Sequence, residues 1–400
     1  MEKEKRESIE WTNTWWSEAN TDNRRGLLIG DSTTRQLRSS MEALLTNLYA
    51  VDLFTASFSI HDRRLDDYID IFFKGDEYKY DFAVLHYGGH HGFSRLCSES
   101  REEYLAYEEK YRKLLKRLKE KCKKVVCVTG TSEVLETDVN TIDQKTEREI
   151  IVRNQIVSNV ACENGVAMFD LYKLMKSNKG LYTYYDRFHF NRDSDYFISC
   201  NLLEFVLSKN VISKELVKQQ RMYFESVLMD LAGLNKEYMI YGAGAIGVKL
   251  YCVMRWYGME DAIRCFVETH RKVKETISQK PVVLISELNI NERENCTLII
   301  SSDRYSQEMY QMAFDMKIRN VIFYRDIINR AFTKCNDVSG GGEWLTYEKL
   351  NFSIKRIRTE WLINTGKSID RRANLKFCSR PQRKVLRNGE KDEQWPVCSI

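Results

Sequence analysis

Proline is nearly missing from this 400-residue chain: there are 3, all at or beyond Pro281. No proline therefore interrupts a helix or strand in the residues before it. Long hydrophobic runs are missing too. No stretch offers the roughly 18 uninterrupted apolar residues of a membrane helix. The charged opening Met1-Glu2-Lys3-Glu4-Lys5-Arg6-Glu7 leads into no apolar segment of a secretory signal. The 11 cysteines stand singly, with no Cys-x-x-Cys pair and with Cys122 and Cys127 the nearest two. An odd, dispersed set of this kind points to reduced thiols packed in cores and away from a disulfide framework. No internal repeat and no sequence-specific nucleic-acid motif is found. These absences lead to the expectation of a soluble, cytoplasmic protein with no membrane span and no specific nucleic-acid partner.

What is present is enough apolar material, 43% of residues, for two ordinary domains with cores of their own. The net charge of +5 is local, because residues 351–400 carry 12 Lys or Arg against 5 Asp or Glu. That segment reads as a solvated, poorly ordered basic tail with one short helix near Tyr347–Leu362.

In the first half, Gly26-Leu27-Leu28-Ile29 reads as a buried strand. Leu37, Met41, Leu44, Leu45 and Leu48 then recur at helical spacing. Further strand-like runs at Val51–Ala56, Phe82–Tyr87, Lys124–Thr129 and Val166–Asp170 alternate with helical patterns at about 64–74, 99–121, 143–163 and 194–208. Alternation of this kind predicts a parallel sheet covered on both faces, with any site beyond the carboxyl ends of its strands. Ser32, in the turn Gly30-Asp31-Ser32, sits where the first strand stops and its helix begins. Free N–H groups and the positive end of a helix dipole are available there for a developing oxyanion. A serine is a poor nucleophile without a base. Asp186 and His189, three apart in a non-periodic aromatic stretch, allow one loop to carry both a general base and the carboxylate that orients it. The tyrosines at Leu181-Tyr182-Thr183-Tyr184-Tyr185 can stack on sugar rings or pack under that loop.

Gly-Asp-Ser at a strand end and a distant Asp-x-x-His resemble the first and last blocks of the SGNH/GDSL hydrolase family, over about half the chain. The resemblance implies a three-layer α/β/α domain with Ser32 as nucleophile, His189 as base and Asp186 as its partner, and no cofactor for hydrolysis. The middle blocks depart from the family. Where it has Gly-x-Asn, this chain reads His86-Tyr87-Gly88-Gly89-His90-His91-Gly92, so His90 stands in the Asn position and Gly89 lies beside it. A neutral imidazole can still donate one N–H to an oxyanion. Where the family offers a glycine N–H, the strand end here is Thr55-Ala56-Ser57-Phe58-Ser59, which makes the Ser57 N–H, or that of Ser59, the corresponding candidate. A metal held by His86, His90, His91 and His189 is the lesser alternative, because Gly88-Gly89 favours a turn over the helix that would align these rings.

A helical pattern over 213–233 reads as a connector. After it, Tyr238-Met239-Ile240-Tyr241 runs into Gly242-Ala243-Gly244-Ala245-Ile246-Gly247 and a helix, the context that gives Gly-x-Gly-x-x-Gly its meaning. Gly242, Gly244 and Gly247 are candidates to hold a phosphate at the helix N-terminus, and Glu268, ending the next strand, to bond a ribose hydroxyl. The remainder, with strands near Pro281–Leu284, Cys296–Ile300 and Asn320–Phe323, resembles the small Rossmann-like domain of bacterial surface-polysaccharide and sugar-nucleotide proteins. That implies a nucleotide or sugar nucleotide as an occupant, or a structural role with oligomerisation through this domain. No Tyr-x-x-x-Lys pair follows for hydride chemistry.

The expected organisation is an extension at 1–21, an SGNH-hydrolase-like domain at 22–209, a connector at 210–234, a Rossmann-like domain at 235–333 and the tail at 334–400. The expected fold is α/β throughout. The expected function is a serine ester hydrolase that deacylates, most simply deacetylates, a carbohydrate or surface-polysaccharide precursor. The alternatives are an acyltransferase on the same substrate class and a non-catalytic sugar-nucleotide-binding scaffold of polysaccharide biosynthesis.

Overall fold

The computed structural model describes residues 11–19, 23–74, 79–87, 100–178, 181–233, 237–270 and 275–332. The basic tail, its expected helix, and the Gly88, Gly89, His90 and His91 positions lie outside the described residues. The first half runs β1 (Thr12–Trp15), β2 (Arg25–Gly30), α1 (Ser32–Leu44), β3 (Ala50–Ala56), α2 (Arg63–Phe73), β4 (Tyr80–His86), α3 (Arg101–Lys121) and β5 (Val125–Val128). It continues through β6 (Val134–Leu135), β7 (Asp138–Ile142), α4 (Gln144–Glu163), β8 (Ala167–Phe169), α5 (Leu171–Ser177) and α6 (Arg192–Ser208). The second half comprises α7 (Lys214–Ala232), β9 (Tyr238–Tyr241), α8 (Ala245–Trp256), β10 (Ile263–Glu268), β11 (Thr276–Ile277), β12 (Lys280–Leu284), α9 (Ile290–Asn295), β13 (Thr297–Ile300), α10 (Ser306–Asp315), β14 (Asn320–Phe323) and α11 (Tyr324–Ala331).

The first sheet has the order β1-β3-β2-β4-β5-β8, parallel except for β1, which pairs antiparallel with β3. Alternate strand residues feed opposite faces. Leu28, Leu53, Val84 and Val126 point to the side of α1 and α6, and Leu27, Phe54, Leu85 and Cys127 to the side packed by α3 and α4. Strand β1 falls within the expected N-terminal extension. Its four residues are exposed and carry no apolar alternation, so its existence depends on pairing with the β3 edge.

Behind β1 lies a buried charge pair. The Arg25 guanidinium donates to both Asp52 carboxylate oxygens at 2.8 and 3.0 Å and to the Ser17 and Glu18 carbonyls. Asp52 also accepts from the Ser17 N–H and the Tyr80 hydroxyl. Burial raises the Asp52 carboxyl above its ordinary range, with Arg25 pulling the other way. The pair sits near the amino ends of the strands, opposite the edge that carries Ser32.

The second sheet has the order β11-β12-β10-β9-β13-β14, with β9, β10, β12, β13 and β14 parallel and β11 antiparallel to β12. Leu28 and Val84 of the first half and Ile240, Phe266 and Ile299 of the second belong to one continuous apolar core. Polar bonds tie the halves as well: Gln220 of α7 and Trp256 of α8 both donate to the Leu44 carbonyl at the end of α1. No helix among the described residues is long and apolar enough to cross a membrane.

Asp195 lies buried in α6 close to α8, among Arg192, Asp193 and Lys249, and its Oδ1 makes no hydrogen bond among the described residues. Burial pushes its carboxyl up to about 7. Between an ordinary value of about 3.9 and that level, the unfolded chain has released a proton that the folded chain keeps. Stability from this group is therefore present at low pH and lost as pH rises through the window. The expected result is that Asp195→Asn gains thermal stability relative to wild type between pH 5 and pH 8, by a few degrees in Tm. A difference in Tm that stays constant over that range would contradict the burial argument.

Candidate active site

Asp31 caps α1, its carboxylate accepting the Thr33 N–H at 3.0 Å, and this places Ser32 at the first helical position. Beyond the Asp31 cap, no acidic residue lies in the first turn of α1. The Ser32 N–H has no acceptor among the described residues. Against Ser32 Oγ, at 2.8 Å, lies His189 Nε2. His189 Nδ1 in turn lies 2.7 Å from Asp186 Oδ2. The Asp186 Oδ1 accepts the N–H groups of Phe188 and His189, so the loop is wound tightly around its own carboxylate. Burial works to raise the Asp186 carboxyl, but the His189 ring and these two N–H groups outweigh it and hold the group below its ordinary value. An anionic Asp186 fixes the imidazole with its proton on Nδ1 and its lone pair on Nε2, facing the hydroxyl.

The loop is held from three sides, and two of the supports, Gln36 and Arg187, carry no signal in the sequence. Gln36, one turn into α1, bonds both the carbonyl and the N–H of Phe190, at 3.2 and 3.4 Å. Arg187 bridges Glu133 and Asp143 at 3.0 and 3.1 Å, and its carbonyl accepts the Val134 N–H, which pins the loop to the β6–β7 hairpin. Beneath it, Tyr184 donates to the Ser132 carbonyl and packs with Tyr182 against Phe190. Tyr185, next to Asp186, is 75% exposed. Of the two readings open for this aromatic stretch, packing under the loop applies to Tyr182 and Tyr184, and Tyr185 alone faces solvent.

The oxyanion positions come out differently. The Ser57 N–H donates to the Trp11 carbonyl at 3.0 Å and Ser57 Oγ accepts the Trp11 N–H at 2.9 Å. A donor already spent on the Trp11 carbonyl is not available to an oxyanion, so Ser57 serves instead to hold Trp11, the residue that leads into β1. Sequence alone had no signal for this, because the partner is 46 residues away. The Ser59 hydroxyl accepts the His61 N–H and shapes the turn before α2. Gly89 and His90 lie outside the described residues. His86 is buried at the end of β4, its Nδ1 3.3 Å from Thr34 Oγ1, and burial lowers its pKa. The Asn154 side chain bonds both the N–H and the carbonyl of Gly130 and so supports the turn after β5.

The glycine loop of the second half follows β9, the strand flanked by β10 and β13. Gly242 has φ 113, a left-handed value that a side chain would strain, and its N–H donates to the Val267 carbonyl. A Cβ on Gly247 would lie 1.9 Å from the Gly242 carbonyl oxygen, so α8 can approach its strand only with glycine there. Gly244, the N-cap of α8, faces open space and has no side-chain cap. Glu268 ends β10, the neighbouring strand.

The described chain is thus an α/β protein of two mixed sheets with a Ser-His-Asp constellation at the carboxyl edge of the first. No protein-family model matches it. No curated protein matches it either. Solved structures give a distant and partial likeness. An acetyl xylan esterase, AlAXEase, is 20% identical, with 45% of this chain and 99% of that one covered and a TM-score of 0.36. Axe2, an acetylxylan esterase from Geobacillus stearothermophilus, is 15% identical, with 46% and 94% covered and a TM-score of 0.35. LAE5, an alpha/beta hydrolase enzyme from the metagenome of Lake Arreo, Spain, is 16% identical, with 48% and 97% covered and a TM-score of 0.36.

Proposed function

We propose that the chain is a serine ester hydrolase of SGNH/GDSL type, with a three-layer α/β/α catalytic domain, acting on an O-acylated, most simply O-acetylated, carbohydrate. The observation that carries the reading is the line of contacts from Ser32 Oγ to His189 Nε2 at 2.8 Å and from His189 Nδ1 to Asp186 Oδ2 at 2.7 Å. A serine at a helix N-terminus has no structural need of a base aimed at its hydroxyl. In this reading Ser32 Oγ attacks the acyl carbon while its proton passes to His189 Nε2, and the tetrahedral oxyanion faces the Ser32 N–H. Collapse expels the sugar oxygen, which takes the proton from Nε2. Water, deprotonated by the same nitrogen, then releases the acid and regenerates Ser32.

The carbohydrate part of the reading rests on the resemblance of the second half to modules of surface-polysaccharide proteins. A nucleotide or sugar nucleotide in that Rossmann-like half would be held by Gly242, Gly244 and Gly247 at the N-terminus of α8, with Glu268 at the ribose. The test is hydrolysis of p-nitrophenyl acetate and of acetylated xylose by wild type beside Ser32→Ala. Turnover of both esters, absent in the variant, supports the reading. Turnover of the aryl ester alone would remove the carbohydrate, and turnover of neither would favour a binding scaffold.

A further inference from the structure

Arg35 is the neighbour of Ser32 on α1. Residues three apart share a helix face with Cβ atoms about 5–6 Å from one another, and helical side chains lean back toward the N-terminus. Arg35 therefore leans over the turn that holds the nucleophile. Its guanidinium lies over the Trp11 ring, with Cζ 4.2 Å from the centroid. Trp11 is itself fixed at the carboxyl edge of the sheet by its backbone bonds to Ser57. Arg35 is exposed and bonds no carboxylate among the described residues. Arg38, the next arginine along α1, differs: it lies over Trp15 but is neutralised by Glu42 at 2.6 Å. Of the carboxylates beside Ser32, Asp31 accepts the Thr33 N–H and Asp186 holds the His189 ring. A guanidinium seated over an aromatic ring and paired with no carboxylate among the described residues has N–H donors to offer, and its planar fork suits bidentate binding of an oxyanion.

We infer that Arg35, seated on Trp11, binds an anionic group of the acylated substrate, a carboxylate or phosphate about one sugar ring from the ester. The inference rests on the ester-hydrolase reading and names its substrate class as an acidic saccharide. The test compares kcat/KM for O-acetylated galacturonate with that for its neutral methyl ester. Wild type favours the acid by about tenfold or more. Arg35→Gln brings the ratio close to one, while Arg35→Lys, with the charge but not the fork, falls between. Trp11→Ala lowers the ratio part of the way, because the guanidinium loses its seat. Absence of any preference in wild type, or an unchanged ratio in Arg35→Gln, would overturn the inference. If wild type hydrolyses no ester at all, the esterase reading fails by itself, and calorimetric titration with galacturonate, inorganic phosphate and galactose still decides the role of Arg35. Tighter binding of either anion than of galactose, lost in Arg35→Gln, supports it and tells carboxylate from phosphate; equal affinities overturn it.

Discussion

If the chain is the proposed ester hydrolase, the expected result is that His189→Ala lowers kcat for ester hydrolysis by about 10⁴-fold or more, and that Ser32→Ala does the same. The reason is the shared proton. With His189 gone, Ser32 Oγ has no acceptor at the 2.8 Å position and attacks as a neutral alcohol. With Ser32 gone, the base has nothing to activate. The two losses belong to one step, so the double variant is no slower than either single one. Asp186→Asn tests the orientation of the ring. An amide at Oδ2 can offer its NH₂ to Nδ1, which turns the proton to Nε2 and removes the lone pair from the serine. A loss of about 10³- to 10⁴-fold is expected, with KM little changed. Additive losses in the double variant would mean that Ser32 and His189 act separately.

The second large effect concerns stability. Asp52→Ala leaves the Arg25 guanidinium 2% exposed with its carboxylate removed. Breaking a buried pair from one side costs about 3–5 kcal/mol, because the remaining charge stays desolvated. The Ser17 N–H and Tyr80 hydroxyl lose an acceptor in the same change. Replacing both partners, Arg25→Met with Asp52→Leu, removes the stranded charge and recovers most of that loss. Urea unfolding of the three variants checks this. A double replacement as unstable as Asp52→Ala would show that the pair holds the N-terminal segment by geometry that apolar side chains cannot supply.

The parts of the site that could be read in the chain are those carried by short segments. The apolar run into Gly30-Asp31-Ser32, the helical spacing after it, and the three-residue step from Asp186 to His189 are local patterns, and each maps onto a single element or loop. The same is true of β9, the glycine turn and α8. What could not be read is carried by pairing between distant segments. Strand β1 is polar and exposed, with no period-two signal, and exists through the β3 edge. Gln36 reaches Phe190 across 154 residues, and Arg187 reaches Glu133 across 54. The Ser57 N–H looked available as an oxyanion donor only while the strand beside it was unknown. Trp11 and Arg35 are separated by two strands, β1 and β2, so nothing in their order announces the contact between them.

The central claim is that Ser32 is a nucleophile driven by His189. The most direct measurement is treatment of the purified protein with a fluorophosphonate probe, followed by peptide mass mapping, for wild type and His189→Ala in parallel. The expected result is one adduct per chain, located on Ser32, formed rapidly in wild type and almost not at all in His189→Ala. An unlabelled wild type, or a label on another residue, would contradict it.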